Sequence, residues 1–158
     1  MGVRWIVVPL LVVVLLTGCA KKSRPDVTPP APPPASGAAA AALARSLVGT
    51  PYRNGGADAS GFDCSGFVHY VFRQVGVALP RSVSEQASAG ELVERRDLRD
   101  GDMVFFAIDG RAISHVGIVV GADTFVHAPS SRGRVREELL SAAYWRTRVA
   151  AARRILPQ

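Results

Sequence analysis

The chain has 158 residues and a formal net charge of +6. That length leaves room for one folded domain and excludes a multidomain protein, while two cysteines and 7% aromatic residues exclude a disulfide-dense scaffold. The basic excess points to an acidic partner, which nucleic acid, an anionic membrane or a carboxylate-rich polymer would satisfy, and no repeat at a solenoid period is present.

Residues 1–18 are short and apolar, with Arg4 near the start. The run 6–16 has the length of a signal-peptide core and is too short to span a bilayer comfortably. Leu16-Thr17-Gly18-Cys19 follows and resembles a bacterial lipobox, which implies cleavage and a lipid on Cys19. Ala20, where an Asp would signal retention, resembles Gram-negative lipoproteins of the outer membrane facing the periplasm. Residues 19–37 then read as a Pro/Ala-rich tether, with Pro29, Pro30, Pro32, Pro33 and Pro34 favouring an extended spacer. Lys21, Lys22 and Arg24 suit anionic headgroups.

Residues 38–158 are the expected folded domain. A helix is predicted over 38–48, ended by Gly49, and a Gly/Pro-rich loop over 50–61. Phe67, Val68, Val71, Phe72 and Val75 form one apolar helical face, with Gly76 closing the helix. A short helix is expected within 82–89. After Asp100 the pattern changes to short runs at 103–108, 113–120, 124–127, 134–138 and 146–155, which read as strands of an antiparallel sheet. Helices first and strands second is an α+β order.

Three residues carry the chemistry. Cys64 stands at the start of the amphipathic helix, where free N–H groups and the helix dipole favour thiolate, and the adjacent Asp63 carboxylate opposes it. A hairpin turning at Gly121 would set His115 directly opposite His127, two imidazoles on one face. A Cys–His pair with a third group orienting the His is the arrangement of thiol acyl-transfer enzymes, and the Cys64 N–H is a candidate oxyanion donor. With Cys19 and Cys64 each given a separate role, no disulfide is expected. Zinc held by Cys64, His115 and His127 is the rival reading. No second shell supports it, so no metal or other cofactor is expected.

Gly49-Thr50-Pro51-Tyr52-Arg53, Gly61-Phe62-Asp63-Cys64-Ser65-Gly66-Phe67, Leu79-Pro80-Arg81, Gly101-Asp102-Met103-Val104-Phe105-Phe106, Ser114-His115-Val116-Gly117-Ile118 and Phe125-Val126-His127-Ala128 together resemble the NlpC-type family of peptidoglycan cysteine peptidases. The motifs stand in family order across the folded domain, and the lipobox and length resemble its small lipoprotein members. The resemblance implies a papain-like core with N-terminal helices packed on an antiparallel sheet. It implies Cys64 as nucleophile, His115 as base and His127 as the residue orienting it. Tyr52 matches a tyrosine near the oxyanion, and Asp63 and Ser65 match positions that help bind substrate in some members. Asn54 departs from a tyrosine common in the family, which bears on substrate preference.

The activity implied is hydrolysis of amide bonds in peptidoglycan stem peptides or cross-links through an acyl-enzyme. Small lipoprotein members favour the cross-link between a diamino acid and D-Ala, with the γ-D-Glu to diamino acid bond as the alternative. A thiol acyltransferase and a non-catalytic wall-binding lipoprotein are the other readings. Expected partners are peptidoglycan peptides and, through Cys19, a membrane; a monomer is expected. Nucleic acid is not, because the compartment is wrong and no reading motif appears. His69 and the cluster Arg132, Arg134, Arg136, Arg146 and Arg148 read as solvated surface, with attraction of wall carboxylates as the alternative for the cluster.

Overall fold

The structure, a computed structural model, describes residues 1, 2 and 35–157. They fall in two units, Met1–Ala31 and Pro32–Gln158, and every element below belongs to the second. All but the first two residues of the expected signal segment, Cys19 and nearly all of the tether lie outside the described residues. Among the described residues, no helix is long and apolar enough to cross a membrane.

Helix α1 (Gly37–Ser46) starts at Ser36, whose hydroxyl accepts the Ala39 N–H at 3.2 Å. Its inward face is Ala40, Ala41 and Ala44, all buried. Side chains this small let it lie close to α2 (Cys64–Gln74). Helix α2 buries Phe67, Val68, Val71 and Phe72, the stripe predicted from the spacing, and each such side chain contributes roughly 1.5–3 kcal/mol on burial. The expected short helix is α3 (Val83–Gln86), capped by Ser82.

Between α1 and α2, where the sequence reads as loop, two-residue strands β1 (Ala57–Asp58) and β2 (Gly61–Phe62) form a hairpin. The main sheet contains β3 (Glu91–Leu92), β4 (Met103–Phe106), β5 (His115–Val119), β6 (Thr124–His127), β7 (Arg136–Leu139) and β8 (Val149–Arg154). Its order is β3-β8-β4-β5-β6-β7, and every pairing is antiparallel. Strand β7 begins two residues later than the predicted run, and residues 146–148 precede β8 rather than belonging to it.

Alternation along the strands divides the core in two. Met103, Phe105, Val116, Ile118 and Val126 face α1 and α2. Val104, Phe106, Val119 and Phe125 face the other way and are covered by Leu140 and Trp145, the latter on the one-turn helix α4 (Ala143–Arg146). The sequence pattern gave no sign of this second cover, because four residues are too few for a helical period. His115 and His127 have the parity of this second face. The α+β class and the packing of N-terminal helices on an antiparallel sheet are as expected.

Asp102 and Arg154 join the sheet's margin to its last strand. Arg154 Nε and a terminal N–H donate to the two Asp102 oxygens at 2.8 and 2.7 Å, and the Arg99 N–H adds a third bond at 2.8 Å. Asp102 is fully buried, and its hydrogen bonds raise the Arg154 guanidinium further above its ordinary range.

Candidate active site

The site is assembled where α2 begins and β5 begins. Asp63 is the N-cap of α2, its carboxylate accepting the Gly66 N–H at 2.7 Å. That makes Cys64 the first helical residue. The chain comes close here: a Cβ on Gly66 would stand 1.9 Å from the Gly56 carbonyl oxygen, so only glycine fits. Cys64 is half-buried, and the N–H groups of Ser65, Cys64 and Val116 act on its sulfur. Val116 follows His115 on β5, so the thiol lies against the strand that carries the expected base.

His115 and His127 meet directly. His115 Nε2 lies 2.7 Å from His127 Nδ1, with the rings edge to face. The pairing differs from expectation by two residues: His127 stands opposite Gly117, not His115. The turn centres on Ala122, because Val120 N–H closes onto Thr124 C=O at 2.9 Å. Asp123 is kept out of the ladder, its carbonyl accepting the Leu140 N–H at 2.8 Å and its carboxylate accepting the Ser141 hydroxyl. A shift of two preserves the face, so the imidazoles become diagonal neighbours, with Trp145 stacked on His115.

Burial disfavours the charged form of both partners. Burial pushes the Cys64 thiol up, the Asp63 charge adds to it, and the three N–H groups only partly offset this. The expectation of a lowered thiol is thus corrected: the helix N-terminus acts, but desolvation outweighs it. Burial holds His115 down at about 4. Burial, then His115 and Arg136, hold His127 at about 2.

Asp63 is engaged elsewhere. Arg81 grips it with two bonds, at 2.9 and 2.6 Å, and also donates to the Ser65 hydroxyl at 2.8 Å and the Gly56 carbonyl at 3.2 Å. Burial opposes ionisation of Asp63, but the bonds from Arg81 and Gly66 hold its carboxyl below the usual range. Ser65 and Asp63 are therefore linked through Arg81, a residue given no role by the sequence. Gln86 was missed as well. It is fully buried, and its amide donates to the Ser65 and Pro80 carbonyls at 3.0 and 2.8 Å. Tyr52 packs at the same place, its phenol pushed up by burial and then by Cys64 and Asp63.

Tyr52, Asp63, Cys64, Ser65, His115 and His127 thus occupy one region, while Cys19 lies outside the described residues. The two imidazoles bond to each other, which commits one nitrogen of each. Among the described residues no three His, Cys, Asp or Glu side chains cluster as metal ligands. His69, expected to be solvated, is part-buried, with Nδ1 2.8 Å from the Leu79 carbonyl.

Known proteins are similar to this chain in sequence and in fold. "Probable endopeptidase NlpC" of Escherichia coli (strain K12) is 38% identical over 149 residues, 92% of this chain and 96% of the relative. "Murein DD-endopeptidase MepS/Murein LD-carboxypeptidase" of the same strain is 46% identical over 109 residues, which are 68% of this chain. The match spans only 57% of that relative. The crystal structure of an NlpC/P60 family protein from Bacillus cereus superposes with a TM-score of 0.74 at 31% identity, over 80% of this chain and 42% of that one. The family model itself matches residues 49–154, from the turn after α1 to the last residue of β8, and on this ground the chain belongs to the NlpC/P60 family.

Proposed function

We propose that the chain is a cell-wall cysteine endopeptidase that hydrolyses amide bonds in peptidoglycan stem peptides or cross-links. One observation carries this reading: His115 Nε2 is engaged by His127 at 2.7 Å, which leaves His115 Nδ1 as the nitrogen for Cys64 at the adjoining start of α2. Proton transfer from thiol to that nitrogen accompanies attack on the scissile carbonyl. The imidazolium then protonates the leaving amine and, as imidazole again, activates water for deacylation. The Tyr52 phenol, kept protonated by burial, and the Cys64 N–H stabilise the oxyanion. Asp63 and Ser65 shape the peptide-binding side of the cleft with Arg81 as their tie.

The names of the relatives support a wall substrate, and the MepS name favours the cross-link between a diamino acid and D-Ala. The same reading includes residues 1–18 as a signal peptide, a lipid on Cys19 facing the periplasm from the outer membrane, a tether over 19–37 and a monomeric catalytic domain over 38–158.

Digestion of purified cross-linked peptidoglycan by wild type and Cys64→Ala tests it. Conversion of cross-linked dimers to monomers by wild type alone supports the cross-link peptidase. New fragments ending in D-Glu move the cut to the γ-D-Glu bond. No Cys64-dependent product overturns wall hydrolysis.

A further inference from the structure

His127 is fully buried and has one ring nitrogen with no hydrogen-bond partner among the described residues. Its Nδ1 faces His115, and its Nε2 points away to the second face of the sheet. A buried polar atom of this kind costs stability unless something engages it. On that side lies Glu138, whose Oε1 is 4.0 Å from Nε2. Glu138 stands opposite Phe125 on β7, with the same parity as His127.

Glu138 is not a loose surface carboxylate. The Trp145 indole N–H donates to Oε2, and Arg136 Nε lies 2.7 Å from Oε1 as an ion pair. Trp145 in turn contacts both imidazoles. A cavity of about 270 Å³ is lined by His127, Glu138, Tyr144 and Trp145. It has room for a water that bends between Nε2 and the carboxylate, or for a side-chain shift of about 1 Å that closes a direct bond.

A neutral imidazole has one N–H, so the contact between the two rings admits two arrangements. In one, His115 Nε2–H donates to His127 Nδ1, and His115 Nδ1 keeps a free lone pair. In the other, the donor and acceptor are reversed, the proton of His115 sits on Nδ1, and the ring cannot receive one from Cys64. The first arrangement places an N–H on His127 Nε2, and the second leaves a bare lone pair there. An acceptor beside Nε2 favours the first. A donor favours the second, and the neighbouring donor is Arg136, directly opposite His127 and without an acceptor along its Nε–H.

We infer that Glu138 is a positioning residue for this reaction: its carboxylate holds the His127 proton on Nε2 and draws Arg136 away from that nitrogen, so that His115 keeps Nδ1 free for Cys64. The inference rests on the Cys64–His115–His127 reading above, and acts on it through the proton position alone.

Glu138→Gln in the full chain keeps the size of the side chain and removes the charge. Histidine ¹⁵N spectra of wild type are expected to show His127 protonated at Nε2, and those of Glu138→Gln to show protonation shifted toward Nδ1. Alkylation of Cys64 by iodoacetamide is expected to slow at least about tenfold, the scale on which partners that fix a histidine tautomer act. Turnover of wall peptide is expected to fall with KM unchanged within about twofold. Glu138→Asp, which retains the carboxylate and offers no donor to Nε2, is expected to restore part of both rates. An unchanged His127 tautomer in folded Glu138→Gln overturns the inference, as does an alkylation rate equal to wild type. These two readouts need no wall substrate, so they stand apart from failure of the peptidase reading.

Discussion

Gly117 faces His127 across the β5–β6 ladder, and the space a side chain would fill is taken. A Cβ there would lie 2.7 Å from the Phe125 ring, 2.9 Å from the Val126 carbonyl and 3.2 Å from His127 Cβ. Gly117→Ala must therefore push strand or imidazole aside. It is expected to destabilise the fold by about 1–3 kcal/mol and to cut activity by about a hundredfold, the cost of a small misplacement at a reacting pair. Urea unfolding and wall digestion measure the two effects, and a fully active alanine variant would show that the His115–His127 distance is not critical.

Cys64 is expected to rest as a thiol. Burial and Asp63 raise it, and the neighbouring His115 is too hard to protonate to hold a thiolate. The thiolate absorbance difference between wild type and Cys64→Ser is expected to be absent at neutral pH and to appear only above the ordinary thiol range. A full thiolate signal at neutral pH would sink this account and indicate a preformed ion pair.

Folding stability is expected to fall on mild acidification. His115 titrates near 6.5 when unfolded and at about 4 when folded, and His127 is lowered too. Between those values the unfolded chain binds protons that the folded chain does not. Stability is therefore full above the unfolded value and lost as the pH drops toward the folded one. For His115 the loss from pH 6.5 to 5 is roughly 2 kcal/mol. Urea midpoints at neutral and mildly acidic pH check it, and equal midpoints contradict it.

Arg81→Ala removes both grips on Asp63 and the bond to Ser65. The Arg81 side chain is 40% exposed, so solvent screening moderates the loss; about 1–2 kcal/mol is expected. The freed carboxylate should raise the Cys64 thiol further and shift its alkylation profile to higher pH. A stability loss with an unmoved profile would mean that the Asp63 charge is not felt at the sulfur.

Much of this site was legible because its residues sit in periodic elements. The spacing of Phe67, Val68, Val71 and Phe72 locates α2, and with it the position of Cys64. Strand alternation puts His115 and His127 on one face whether the turn centres on Gly121 or Ala122, since a shift of two changes the neighbour and not the face. The register itself depended on Asp123, held by Leu140 and Ser141 from a distant segment. Arg81 and Gln86 were missed for a related reason: their partners lie 16 to 25 residues away for Arg81 and, at Ser65, 21 for Gln86. The cover formed by Trp145 has no period to read. The thiol's state depended on burial, which no local pattern reports.

Strand β8, the last in the chain, is not at the edge of the sheet. It lies between β3 and β4, and Arg154 at its end clasps Asp102. A chain that stops short of residue 149 leaves the buried strand β4 with one side unpaired, an open edge. Sheet completion must then wait for residues 149–154 to be made, even though Cys64, His115 and His127 were all made earlier. The order of synthesis itself thus delays a complete sheet until residues 149–154 have been made, and a chain that stops before residue 149 is expected to be degraded rather than to act.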